Sequence, residues 1–179
     1  MKTGRVQNEK WLTDITEFQI LAGKVYLSPM IDCFDCFDCF DGPIVRWSIG
    51  THPDAKLVNT LLDAAIEKAP NSKERPVVHS DRDTHHHHRW PGWLTCMRDV
   101  KLIHSMSRKG CSPDNTACKG FFGRLKTELF YPRDWQAATI GQFIQVVGPY
   151  IHWYNEKRIK ISLGSLSPAE YRESLRLAA

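Results

Sequence analysis

Two aspartates stand at the ends of strand-like runs. Asp14 lies in Trp11-Leu12-Thr13-Asp14-Ile15-Thr16, and Asp81 closes Val77-Val78-His79-Ser80-Asp81. Carboxylates gathered from two strands suit two-metal phosphoryl transfer. One divalent ion activates the attacking water or hydroxyl and the other stabilises the leaving oxygen, with the ions roughly 3.5–4 Å apart. Magnesium takes a few carboxylates and keeps several waters, so such a site asks for a third acid on a neighbouring element. On spacing alone, a lone Asp at a strand end is more often a turn or cap residue than a ligand.

The elements that must position these residues can be read from periodicity. Residues 11–20 alternate as a strand, 24–34 read as a second and 43–50 as a third, with Asp41-Gly42 as a hairpin turn signal. Pro53-Asp54 opens a helix to about Ala69, with Leu57, Leu61, Leu62, Ala65 and Ile66 at helical spacing. Residues 76–80 form a fourth strand, Trp90 to Asp99 a short helix and Lys101–Met106 a fifth strand. Ser112-Pro113 with Asp114 starts a long helix, and Thr139–Glu156 forms the last long one. Ser167-Pro168-Ala169-Glu170 starts a short terminal helix. Three strands in hairpins followed by alternating helix and strand predict an α/β chain. Its mixed five-stranded sheet, three antiparallel strands and then parallel ones, is flanked by helices. That order matches a ribonuclease H-like fold, in which the first and fourth strands are neighbours and would bring Asp14 and Asp81 together.

With 179 residues, 42% hydrophobic and 25% charged, the chain suits one domain with a real core. No apolar run reaches the roughly 20 residues that span a bilayer, and residues 1–10 lack a signal-like stretch, so no membrane partner and a cytoplasmic location are expected. The six cysteines are then expected to be free thiols. Net charge is +4, but residues 98–160 carry eleven Lys/Arg against five Asp/Glu. A basic C-terminal half fits a polyanion partner, or simply a solvated surface. Candidate phosphate contacts are Arg108, Lys109, Arg124, Lys126, Lys157, Arg158 and Lys160. Trp90, Trp93 and Trp153 read as packing aromatics.

Several motifs in order carry a family resemblance. They are Trp11 to Phe18, His79-Ser80-Asp81-Arg82, Ser112-Pro113-Asp114-Asn115, Gly120 to Glu128, Trp153 to Arg158 and Leu166 to Tyr171. The chain resembles, over about residues 8–175, the DDE transposases of bacterial insertion sequences of the insertion-sequence-three type, relatives of the retroviral integrase core. The resemblance implies DNA as partner, Mg²⁺ or Mn²⁺ as cofactor, and assembly as a homo-oligomer or with other transposase subunits. It implies DNA integration by cleavage and joining of strands. It makes Asp14 and Asp81 metal ligands and puts a Glu where this chain has Lys119. The family spacing leaves about 35 residues between second Asp and Glu; residues 82–118 make 37 here, the excess lying in the His run. The family also has a basic residue seven positions later, matched by Lys126, nearly two α-helical turns along the same face. Glu128 and Asp114 are poor substitutes: on an α-helix Glu128 stands about 900° from Lys119, on the opposite face. Metal affinity is therefore expected to fall and strand transfer to be abolished or nearly so.

The family adds an upstream helix-turn-helix region; because the chain begins almost at its first strand, that part is expected to be absent or encoded separately. The expected layout is a tail over 1–9, an integrase-like core over 10–160 and a C-terminal tail with a short helix over 161–179.

Two low-complexity patches remain. Cys-Phe-Asp occurs three times over 33–41; the fourth Cys of a ferredoxin-like run is missing, Pro43 standing in its place, so tandem copying into a protruding hairpin loop is the simpler reading. His85, His86, His87 and His88 form a loop insertion able to bind Zn²⁺ or Ni²⁺ adventitiously, with His79 nearby. Two rival functions stay open: a non-catalytic DNA-binding or oligomerising transposase remnant, and a metal-binding protein.

Overall fold

The computed structural model describes residues 10–33, 42–68, 77–80, 91–99, 102–106 and 116–177. In chain order these form β1 (Lys10–Thr13), β2 (Thr16–Ile20), β3 (Gly23–Asp32), β4 (Ile44–Gly50), α1 (Ala55–Lys68), β5 (Val77–Ser80), α2 (Pro91–Asp99) and β6 (Ile103–Met106). There follow α3 (Thr116–Leu125), a π turn (Lys126–Phe130), α4 (Ile140–Glu156), a short 3-10 turn (Ile161–Leu163) and α5 (Pro168–Leu177).

The single strand expected over 11–20 is two segments. Both pair antiparallel with β3 in one register, Thr13 opposite Met30 and Thr16 opposite Leu27. Asp14 and Ile15 thus oppose two residues, without a bulge. The cause of the break is local: Asp14 Oδ1 accepts the N–H of Ile15 at 2.8 Å, a side-chain acceptor competing with the strand ladder. Side-chain parity runs through unchanged. Leu12 and Phe18 belong to one core cluster, Trp11 and Ile15 to the other.

β4 borders β3 on one side and the β1–β2 line borders it on the other, both antiparallel; β5 joins β1 and β6 joins β5, both parallel. Taking β1 and β2 as one line, this is the expected mixed five-stranded, ribonuclease H-like sheet. On one face Leu12, Phe18 and Leu27 of the sheet pack with Phe121 and Leu125 of α3, Leu129 of the π turn, and Phe143 and Tyr154 of α4. The other carries Trp11, Met30, Val78, Leu61 and Trp93 under α1 and α2.

Local chemistry explains where the elements start. Asp54 accepts the Leu57 N–H at 3.0 Å and opens α1. Thr139 and Gln142 form a capping box on α4, at 3.2 and 2.9 Å. Ser167 and Glu170 do the same on α5, where Ser167 N–H donates at 2.8 Å and Ser167 Oγ accepts at 3.3 Å, with Pro168 as the first helical residue. Gly42 is required by close approach: a Cβ there would lie 2.1 Å from the Asp32 carbonyl oxygen. Among the described residues no helix is long and apolar enough to cross a membrane.

Candidate active site

β1 and β5 run parallel with Leu12 opposite His79 and Thr13 opposite Ser80. The residue before Asp14 therefore faces the residue before Asp81. Asp81 itself lies outside the described residues, as do Arg108, Lys109, Trp90, the His85–His88 run and the Cys-Phe-Asp copies after Cys33. Asp14 is 7% exposed. Strand parity places position 14 with Leu12 and Phe18, on the face that α3 covers, and α3 packs against β1 and β3.

Helix α3 is held down by Ala117, Cys118, Phe121, Phe122 and Leu125, all buried. Lys119 sits on its exposed side. The residue that the family pattern expects to be a carboxylate is thus a surface-directed cation on the helix covering Asp14's face. An ammonium has no lone pair to offer a metal, and among the described residues no group of three His, Cys, Asp or Glu could hold one. Asp14 also shares one oxygen with the Ile15 N–H. Among the described residues, Asp14 is thus the one proposed carboxylate ligand, and with Lys119 at the third position they do not complete a two-ion ligand set.

Glu128 is turned elsewhere. It accepts hydrogen bonds from Tyr150 Oη at 2.8 Å and from Arg158, whose Nε lies 3.1 Å from both carboxylate oxygens and whose Nη2 lies 2.6 Å from one. The carboxyl is partly buried, which pushes its pKa up; hydrogen bonds from Arg158 and Tyr150 and the charges of Arg158 and Arg124 outweigh this and leave it below the ordinary Glu value. Tyr150 is raised by its burial and by donating to Glu128. The sequence argument against Glu128 assumed an α-helix; the path is a π turn, and tertiary pairing fixes its direction.

The basic candidates separate by environment. Lys157 is exposed and Arg124 half-buried. Lys126 Nζ lies 5.6 Å from the centre of the Phe18 ring, on Asp14's face of the sheet. Arg158 is bound to Glu128. Lys160 is a correction: it is 3% exposed, with Nζ 3.8 Å from the Tyr154 ring centre, so it belongs to the core rather than the basic surface. Trp93 is buried, as expected, whereas Trp153 is 44% exposed.

Sequence reasoning missed the polar pairs that brace the β5 end. His79 Nδ1 lies 3.1 Å from Ser105 Oγ, and Ser80 Oγ 2.9 Å from His104 Nε2, both across β5–β6. Burial, with His79 nearby, lowers the His104 pKa and favours its neutral ring. It also missed Asp32, fully buried and paired with Arg172 of α5. The signal was there: a charge between Ile31 and Cys33 in an apolar run.

An antiparallel hairpin continuing into a parallel pair, with an Asp closing the central strand and a helix packed on that face, defines an integrase-like core. The family model described as integrase core domain matches residues 5–112, and a second of the same description matches 119–175. The chain belongs to the integrase core domain family, in the branch of DDE transposases of the insertion-sequence-three type. It is 56% identical over 170 residues to a probable transposase for the insertion sequence element IS1353 of Shigella flexneri, covering 95% of this chain and 31% of that protein. It is 38% identical to the putative transposase InsK for IS150 of Escherichia coli K12, covering 92% of this chain and 54% of that one. A transposase-like protein of Haemophilus influenzae is 36% identical, covering 95% and 73%. The chain thus spans about a third to about half of the first two relatives. Among solved structures it is similar to the HTLV-2 integrase catalytic core domain in complex with magnesium, at TM-score 0.59, 13% identity, and coverage of 96% and 99%. It is also similar to a chain of the simian T-cell lymphotropic virus intasome, at TM-score 0.65 and 15% identity, covering 89% and 52%.

Proposed function

We propose that this chain is a transposase catalytic core that binds DNA through its basic C-terminal half and is impaired in strand cleavage and joining. Asp14 and Asp81 act as the remaining metal ligands, and Lys119 stands at the third. The single observation carrying this reading is Lys119 itself, on the helix that packs over the face of Asp14. Replacing a carboxylate by an ammonium changes the local charge by two units and disfavours a divalent cation nearby. Lys126, Arg124 and Lys157, with Arg108 and Lys109, supply phosphate contacts. Mg²⁺ or Mn²⁺ would be held by Asp14 and Asp81 alone, and so weakly; when bound, such ions supply activation of the nucleophile and stabilisation of the leaving oxygen. The HTLV-2 core found with magnesium is a fold relative and supports the choice of ion.

Cleavage and joining of labelled DNA ends, with Mg²⁺ or Mn²⁺, tests the proposal on this chain beside Lys119→Glu. The variant is expected to gain strand transfer that the chain lacks. Equal activity in both would overturn the assignment of Lys119.

A further inference from the structure

The π turn after α3 carries an arrangement that neither the family match nor the metal chemistry explains. Its defining bond runs from Tyr131 N–H to the Lys126 carbonyl, at 2.8 Å. Such i→i+5 turns are rare, and often lie at functional sites, because they are wider and less well bonded than α-helix. They persist only when something outside the helix holds them. Two anchors do so here.

The first is apolar. Phe130 packs against Phe18 and Phe143, with centroids at 5.2 and 5.9 Å, and Trp135 Nε1 donates to its carbonyl at 2.7 Å. The second is Glu128, in the middle of the turn. It is clasped by Tyr150 of α4 and by Arg158 beyond the end of that helix. The turn starts at Lys126, whose ammonium stands over Phe18, the same ring that Phe130 touches. The rotation of the turn therefore decides where that cation points. Phe18 is four residues beyond Asp14 on one strand line and of the same parity, which puts it roughly 13 Å along the same face.

We propose that Glu128 is a positioning residue for Lys126: by clasping Tyr150 and Arg158 it fixes the π turn that holds the Lys126 ammonium on Asp14's face, ready for a DNA phosphate. This rests on the proposed reading of Lys126 as a phosphate contact. Glu128 touches no reacting group; it acts through the turn.

The sign of the effect separates this role from plain electrostatics. Removing a negative charge beside a polyanion site should, by charge alone, tighten DNA binding. A positioning role demands the opposite. The experiment is salt-titrated binding of a short DNA duplex by the full chain, Lys126→Ala, Glu128→Gln and the double variant, with circular dichroism and thermal melts as fold controls. Losing one phosphate contact lowers the slope of log K against log salt by about 0.9, which is roughly 5–10-fold in affinity near 0.1 M salt. Lys126→Ala should show this loss. Glu128→Gln should weaken binding with a similar loss of slope, and the double variant should be no weaker than Lys126→Ala. Tyr150→Phe, which changes no charge, should move binding in the same direction by less, and it stands in if Glu128→Gln does not fold. Tighter binding by Glu128→Gln, additive losses in the double variant, or an unmoved slope in Tyr150→Phe would each overturn the positioning role while leaving the DNA reading intact. An unchanged slope in Lys126→Ala would instead remove the phosphate contact on which both rest.

Discussion

Asn155 holds Ile44 by both of its backbone polar groups, although 111 residues separate them. The side-chain oxygen accepts the Ile44 N–H at 2.8 Å and the side-chain NH₂ donates to the Ile44 carbonyl at 2.8 Å. A carboxamide carries a donor NH₂ and an acceptor oxygen side by side, as a peptide group does, so Asn155 acts as a surrogate strand neighbour at the start of β4.

Asn155→Ala leaves a donor and an acceptor of Ile44 without that partner and should cost about 1–3 kcal/mol. Asn155→Asp should cost a similar amount, because a carboxylate accepts but cannot donate. Denaturant unfolding checks both, and equal stability of Asn155→Asp and the unaltered chain would show that the Ile44 carbonyl bond contributes nothing.

Lys119→Glu should convert a weak cation site into a stronger one, measurable without any catalysis. Ligand that binds only the folded state raises stability by roughly 2.7 kcal/mol at a hundred times its Kd. Thermal melts with and without Mn²⁺ should show a metal-dependent rise in Lys119→Glu that is small or missing in the unaltered chain. Asp14→Asn placed in the Lys119→Glu background should remove it.

The Glu128 clasp gives a pH dependence with a defined sign. The Glu128 carboxyl is lowered on folding, so its contribution is present above the ordinary carboxylate range and fades as pH falls through the folded value. The Tyr150 hydroxyl is raised, so its contribution is present below the ordinary 10.0 and fades as pH rises beyond that. The stability gap between the chain and a Glu128→Gln/Tyr150→Phe double variant should therefore be widest near neutrality and shrink toward both extremes. A gap that is flat from acid to alkali would contradict the clasp.

The Cys-Phe-Asp copies enter between two pinned points. Asp32 N–H donates to the Pro43 carbonyl at 3.0 Å and Cys33 N–H to the Lys10 carbonyl at 2.8 Å. Deleting residues 36–41 should change stability by only about 0.8 kcal/mol, since it shortens the ten-residue span between Asp32 and Pro43 to four and closure entropy varies slowly with loop length. A large loss on deletion would mean that the copies themselves make packing contacts.

These residues also show where the sequence was informative. The strand line through Asp14, the helix start at Ser167 and the strand ending at Ser80 follow from local pattern, because each depends on neighbours a few positions away. What escaped the sequence depends on distant partners. Lys157, Arg158 and Lys160 look alike as a basic run, yet one is exposed, one grips Glu128 and one is buried over Tyr154. The π turn escaped for the same reason: its anchors, Phe18, Tyr150 and Arg158, lie on other elements. Motif order is what singles out Asp14 and Lys119 as the residues proposed for the site. The bracing by Ser105 and His104 was not, since nothing in the sequence pairs β5 with β6 residue by residue.

Arg172 of α5 pairs with the buried Asp32 at the end of β3, 140 residues earlier. With Asn155 and Ile44, this means that the central hairpin is locked by elements more than a hundred residues further along the chain. Closing loops of that length is entropically slow and must precede the contacts that reward it. A nascent chain that has made its whole sheet still lacks the partner for Asp32. A chain cut short before Arg172 leaves the buried Asp32 carboxylate without that partner, a loss that costs more for a buried charge than for an exposed one.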